Sequence, residues 1–259
     1  MRVEPPLWAL TFFYAPLFTA ALWIILTAVL LRLNRRGPHA GRLALFFSLP
    51  LLFLAHQQLL VTRDDLSVLG AFRAYLGATV IWAWHELGFY SGVLSGPWRR
   101  DCPREARGLI RFGYALGTHL YHELACLVEL VLILSLLGAG RNMVGLLVFI
   151  LSWALQHSAK LNVFLGVRSL QVDLFPPHLR YLASFWRQRT ISSFFLPSVS
   201  VATLLALLLW LTTGAHLGDP TAVRLALLAA LVTLGALEHW LLIAPDWRRE
   251  PLPAAQVPE

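Results

Sequence analysis

The chain has 259 residues, 58% hydrophobic and 14% charged, with a formal net charge of +7 and a mean hydropathy of +0.65. Soluble domains carry about 25% charged residues, so this composition excludes a soluble globular enzyme, a disordered chain and a disulfide-stapled secreted domain. Apolar runs of span length recur throughout, without the short alternating strands of a β-barrel, and predict an all-α, polytopic membrane helix bundle.

Seven spans are predicted in chain order, over residues 7–31, 43–61, 66–94, 109–137, 143–167, 194–213 and 222–244. They form one helical domain over residues 1–245. The tail 246–259, with Pro251, Pro253 and Pro258, is expected to be disordered. The apolar run at the N-terminus is too long for a cleaved signal peptide, and its positive charges follow it. Between spans one and two stand Arg32, Arg35, Arg36 and Arg42. Arg99, Arg100, Arg104, Arg107 and Arg111 lie around the connector of spans three and four. A third basic cluster, Arg168, Arg180, Arg187 and Arg189, follows span five, and Arg248 and Arg249 follow span seven. The opposite side is poor in arginine. The positive-inside rule therefore places the N-terminus outside and the C-terminus in the cytoplasm. Charge in such connectors meets anionic headgroups, and no nucleic-acid partner is expected. The connector between spans five and six contains Pro176–Pro177. Leu179, Leu182, Phe185 and Trp186 then fall on one side, and Arg180, Ser184, Arg187 and Gln188 on the other. This pattern predicts an amphipathic interfacial helix.

Ionisable residues inside spans are costly and mark function by default. Span three has His85 and Glu86, and span four has His119, His122, Glu123, Cys126 and Glu129. Span five has Gln156, His157 and Lys160, and span seven has Glu238 and His239. At about 1.5 Å per residue, His85, His119 and His157 lie about 14–15 Å from the cytoplasmic ends of their spans, and His239 about 8 Å. The depths predict one intramembrane layer. His56, near the outer end of span two, belongs elsewhere by the same count. His119, His122 and Glu123 are spaced i, i+3, i+4 and share a helix face. Such donors can hold zinc, iron or the magnesium of a chlorin, or can form a polar seam between helices. Two cysteines, Cys102 and Cys126, give no disulfide framework. A retinal-binding reading needs a lysine in the last span; the single lysine, Lys160, is in span five. The histidine boxes of membrane di-iron oxygenases are absent apart from one HxxH.

Several stretches resemble the PuhE-type photosynthetic complex assembly proteins of purple bacteria. They are WAWHELGFYSGVLSGP (82–97), CP (102–103), YHELA (121–125), SAKLNVFLGVRSL (158–170) and PPHLRYLASFW (176–186). The likeness runs over roughly residues 66–200 and is most specific around Lys160, Asn162 and Arg168. It implies a multi-pass protein of the bacterial inner, photosynthetic intracytoplasmic membrane. Its expected role is as an assembly factor for the reaction-centre and light-harvesting complex, with photosynthetic complex subunits and membrane lipids as partners. It also implies functional roles for His85, Glu86, His122, Glu123, Lys160, Asn162, Arg168, His178 and Arg180. His119 and His157 rest on the depth argument alone.

In this reading bacteriochlorophyll or a late precursor binds in the layer formed by His85, Glu86, His119, His122, Glu123 and His157, with His85 or His122 on magnesium. Lys160, Asn162, Arg168, His178 and Arg180 dock partners or headgroups. No catalytic mechanism comes with the resemblance, and the reading leans away from an enzyme. Two alternatives stand beside it. One is a di-iron or zinc metalloenzyme acting on a tetrapyrrole or lipid, with His119, His122 and Glu123 as metal ligands. The other is a scaffold in which the polar layer only fixes helix packing.

Overall fold

A computed structural model describes residues 5–167, 175–187 and 191–243. The elements of the described residues are all helical, in the order α1 (Leu7–Ala9), a π-helical turn (Leu10–Tyr14), α2 (Ala15–Arg35), α3 (Pro38–Phe47), α4 (Leu49–Thr62), α5 (Val68–Tyr90), α6 (Gly108–Gly117), α7 (Leu120–Leu137), α8 (Val144–Leu165), a 3-10 helix (Pro177–Phe185), α9 (Phe195–Ala215) and α10 (Pro220–Leu241). Helix is the required solution, because a bilayer offers no partner to an open backbone group.

Among the described residues five helical segments are long and apolar enough to cross a membrane: Leu7–Arg35, α7, α8, α9 and α10. A sixth is counted if α3 and α4, bent by 46° against each other, make one span. Pro50 supplies the reason for the bend, since its ring lacks an N–H and clashes with the preceding turn. The Ser48 hydroxyl, donating to Leu45 O (2.9 Å), caps the break. The seven predicted segments thus all contain helix. The segment 66–94 is long enough, but Arg73, His85 and Glu86 dilute its hydropathy.

That segment, α5, is the hub of the bundle. It packs against α2, α3, α4, α7, α8 and α10, so its polar residues face protein rather than lipid. Small residues make the crowding possible: Gly70, Ala71, Ala74, Gly77 and Ala78 are all buried. At Gly77 a Cβ would stand 2.9 Å from Ala55 O of α4, so the two backbones meet at a distance that only glycine permits. The core continues through Tyr75 and Ile81 to Leu59, Ile133, Phe149 and Leu227. One buried polar residue ties the ends of three helices together. Asn142 Nδ2 donates to Thr62 O (3.1 Å), Asp65 O (3.0 Å) and Gly70 O (3.4 Å), and Asn142 Oδ1 accepts from Val144 N (3.2 Å).

The structure differs from the sequence reading in the predicted span 109–137. It is broken at Thr118–His119, where His119 leaves the helical region (φ −135°, ψ 17°). The loop after α5 fills the break. Gly96 N donates to Thr118 O (2.7 Å) and Trp98 N to Gly117 O (3.1 Å), satisfying carbonyls that the break exposes. A side chain at Gly96 would collide with Gly117 O.

The amphipathic segment after Pro176 is present as the 3-10 helix. Its apolar residues Leu179 and Leu182 are buried against Phe89 of α5, so that face is turned to the bundle. Arg111 (7% exposed) fastens it: the guanidinium donates to Phe164 O of α8 and to Phe185 O, and lies 4.0 Å over the Phe164 ring. Arg168 and the tail 246–259 lie outside the described residues.

Candidate functional site

Four helices, α4, α5, α7 and α8, meet in a polar ladder inside the bundle, and α7 carries its two carboxylate nodes. Glu123 and Glu129 are six residues apart with Cys126 between them, and all three are buried.

Glu123 is the first node. Its Oε2 accepts from Trp153 Nε1 (2.9 Å) and meets His157 Nε2 (2.7 Å); its Oε1 meets Lys160 Nζ (3.2 Å). Trp153, His157 and Lys160 occupy one face of α8 because they are spaced i, i+4, i+7. His122, fully buried, has Nδ1 3.6 Å from Glu123 Oε1 and Nε2 3.4 Å from Glu86 Oε1. Glu86 in turn accepts from Gln156 Nε2 at 3.0 and 3.2 Å.

Glu129 is the second node. Its Oε1 lies 2.7 Å from His56 Nε2 and its Oε2 3.2 Å from His85 Nε2. His56 therefore belongs to the network, contrary to the depth count. The bend at Pro50 shortens the straight part of that span to α4, so His56 sits in its middle and level with Glu129. Between the nodes the imidazoles of His85 and His122 stand edge-on, 6.3 Å apart, boxed by Trp82, Phe89 and Phe149. Cys126 Sγ is 3.8 Å from His122 Nδ1.

Hydrogen-bond logic fixes where protons are. His56 Nδ1 donates to Leu52 O (2.8 Å) and His157 Nδ1 to Trp153 O (2.9 Å). A carbonyl only accepts, so the remaining nitrogen of each ring faces a carboxylate and must share a proton with it. His56–Glu129 and His157–Glu123 each hold one such proton. His239 differs: Nδ1 donates to Gly235 O (2.7 Å), and Nε2 accepts from the Ser158 hydroxyl (2.8 Å). It locks α10 to α8 without joining the ladder.

His85, Glu86, His122, Glu123 and His157 thus converge as the sequence predicts. His119 does not share their helix face. It flanks the start of α7, where Nδ1 is 3.0 Å from Thr118 Oγ1, and the described residues give its Nε2 no partner. The break explains why the i, i+3, i+4 triad is not formed. Among the described residues no three His, Cys, Asp or Glu side chains are arranged to hold a metal ion, His119, His122 and Glu123 included. The donors among the described residues do not fit a di-iron or zinc centre.

His119 and His157 instead meet at a groove of about 380 Å³ between α6 and α8. Phe112, Ala115, Leu116, Leu161, Phe164 and Phe194 line it with apolar surface, and His119, His157, Ser158 and Lys160 complete the lining. His85 (3% exposed) and His122 (0%) lie inside the bundle, away from this opening. Their Nε2 atoms are already engaged, so they cannot reach a macrocycle without the helices parting.

Of the expected docking residues, Lys160 belongs to the ladder. Asn162 is buried and joins α8 to α9 through Ser198 Oγ (2.9 Å). His178 Nε2 donates to Tyr90 O (3.0 Å), and Arg180 is exposed. Sequence reasoning missed Trp153 and Gln156 as carboxylate donors. Their spacing from Lys160 along α8 was the available signal.

A model of the family described as "Protein of unknown function (DUF3623)" matches residues 10–251. The chain is 36% identical over 234 residues to the "Uncharacterized 30.4 kDa protein in puhA 5'region" of Rhodobacter capsulatus, covering 88% of this chain and 85% of that protein. No solved structure matches. With nearly the whole bundle matched, polar ladder and groove included, the chain belongs to the DUF3623 family.

Proposed function

We propose that this protein is an assembly factor of the photosynthetic inner membrane, of the PuhE type, that holds bacteriochlorophyll or a late precursor in the groove between α6 and α8 and passes it to photosynthetic complex subunits. The relative named for the puhA 5' region supports the photosynthetic setting. The observation that supports the reading is the groove itself: an apolar cleft whose lining includes His119 and His157. A flat apolar macrocycle carrying magnesium would need apolar walls and a nitrogen donor of that kind.

His119 is the assigned ligand, because Nδ1 is held by Thr118 and Nε2 is left for it. When bound, the pigment supplies a magnesium that accepts one such nitrogen. Glu123 fixes the His157 ring and Lys160 at once, so that part of the lining is rigid before the pigment arrives. The His56–Glu129–His85 half of the ladder acts as a polar seam that holds α4, α5 and α7 together.

The test is purification from pigment-producing cells in mild detergent, followed by absorbance and solvent extraction. Wild-type protein is expected to carry a bacteriochlorin. His119→Ala is expected to lose it at least about tenfold with the melting temperature unchanged. His56→Leu is expected to lower the melting temperature and keep the pigment. Wild-type protein free of bacteriochlorin that still supports complex assembly in cells overturns the reading.

A further inference from the structure

Lys160 is the single lysine of the chain. It lines the groove between α6 and α8, where magnesium ligation by His119 gives it no part. We propose, resting on the pigment reading, that Lys160 receives a free carboxylate of the occupant, so that the bacteriochlorin held there is a carboxylic acid and not its long-chain ester.

An ammonium has three donors and no acceptor. Among the described residues Glu123 takes one of them, with Oε1 at 3.2 Å. Glu123 is itself crowded. Trp153 Nε1 (2.9 Å) and His157 Nε2 (2.7 Å) meet its Oε2, and His122 Nδ1 lies 3.6 Å from its Oε1. One carboxylate with about four lone-pair sites thus faces four donor side chains, and it fixes the Lys160 side chain without enclosing it. The Lys160 side chain is 24% exposed, against 10% for Glu123, and it is Lys160 and not Glu123 that reaches the groove.

A carboxylate brought among Phe112, Leu116, Leu161 and Phe164 is costly unless an opposite charge meets it, and Lys160 is a cation in that same lining. Lys160 is five residues from the end of α8, about 8 Å by the helical rise, and His157 is almost a turn deeper. An acid group toward the end of the span and a ring beside the imidazoles suit that order. Lys160 also stands near enough for its charge to act on the His119 ring, so ring metal and acid group can be held by one occupant. An ester carries no charge and gains far less from the ammonium. Sites built to pair a polar group reject the analogue that lacks it more strongly than apolar walls discriminate by size.

The experiment uses the full chain in phosphatidylcholine nanodiscs and two probes, zinc pheophorbide a and its methyl ester, with binding read by quenching of tryptophan fluorescence. The ratio of acid to ester dissociation constants is taken for each variant, which cancels partition into lipid and any unfolded fraction. Wild type is expected to favour the acid over the ester by about tenfold or more relative to Lys160→Met. Lys160→Arg is expected to keep the preference, because it keeps the charge. His119→Ala is expected to weaken both probes alike. Equal ratios in wild type and Lys160→Met, with both probes bound through His119, overturn the carboxylate assignment and leave the pigment reading standing. Binding of neither probe by wild type overturns both.

Discussion

Glu129→Ala removes the carboxylate that joins α4 and α5 to α7, and its cost can be worked from the contacts. His56 Nε2 loses a partner at 2.7 Å and His85 Nε2 one at 3.2 Å. His85 Nδ1 has no partner among the described residues, so that ring is left without a hydrogen bond at either nitrogen. An orphaned buried polar group costs about 1–3 kcal/mol in a soluble interior. Hydrogen bonds between membrane helices average about 0.6 kcal/mol and reach about 1.7. Two lost bonds plus the vacated side-chain volume therefore sum to about 2–4 kcal/mol of destabilisation. Glu129→Gln keeps the volume and can still bond both rings in suitable tautomers, so about half that loss is expected. The assay is reversible unfolding in mixed micelles against SDS mole fraction, followed by tryptophan fluorescence. A double-mutant cycle with His56→Leu is expected to give a coupling of about 1 kcal/mol. A Glu129→Ala protein within about 0.5 kcal/mol of wild type, with no coupling to His56, refutes the seam.

Asn142→Ala should cost about 2–4 kcal/mol in the same assay, because the backbone carbonyls it holds are buried at the junction of three helices. Gly96→Ala should block the seating of the Ser95–Trp98 loop in the helix break and expose the chain around Thr118, read as faster proteolysis there. Burial, with the Arg42 and Arg99 charges behind it, holds the His178 imidazole below its ordinary value despite the bond to Tyr90 O. Its neutral form is therefore the docked one. Docking of the 3-10 helix is fully favoured above pH about 6.5 and weakens as pH falls below it. Amide protection factors over residues 177–185, with the intrinsic pH dependence of exchange divided out, should fall from pH 7.5 to pH 5.5, and His178→Gln should flatten that dependence.

The convergence of His85, Glu86, His122, Glu123 and His157 was legible because helical spacing and depth along a span are properties of the chain alone. Which carboxylate meets which imidazole was not, since it depends on the rotation of each helix about its axis. Two errors share one cause. His56 was placed apart and His119 placed in line because both estimates assumed straight, unbroken spans. The bend at Pro50 had a local signal in the proline. The break at Thr118 had only the weak signal of Gly117 followed by Thr118 and His119, and the partners that stabilise it come from Gly96 and Trp98 in another connector. The arginines of the connector after α5 were visible as charge, but connector charge reports sidedness before it reports shape. The 3-10 helix, joined to that connector through Cys102 N and Ser184 Oγ, brings Arg187 beside Arg104 and Arg107.

α6 stops at the helix break, and the groove between it and α8 is walled by Phe112, Leu116, Leu161 and Phe164. Walls of that kind also take surfactant tails, so long-chain detergents should compete with the proposed pigment during extraction.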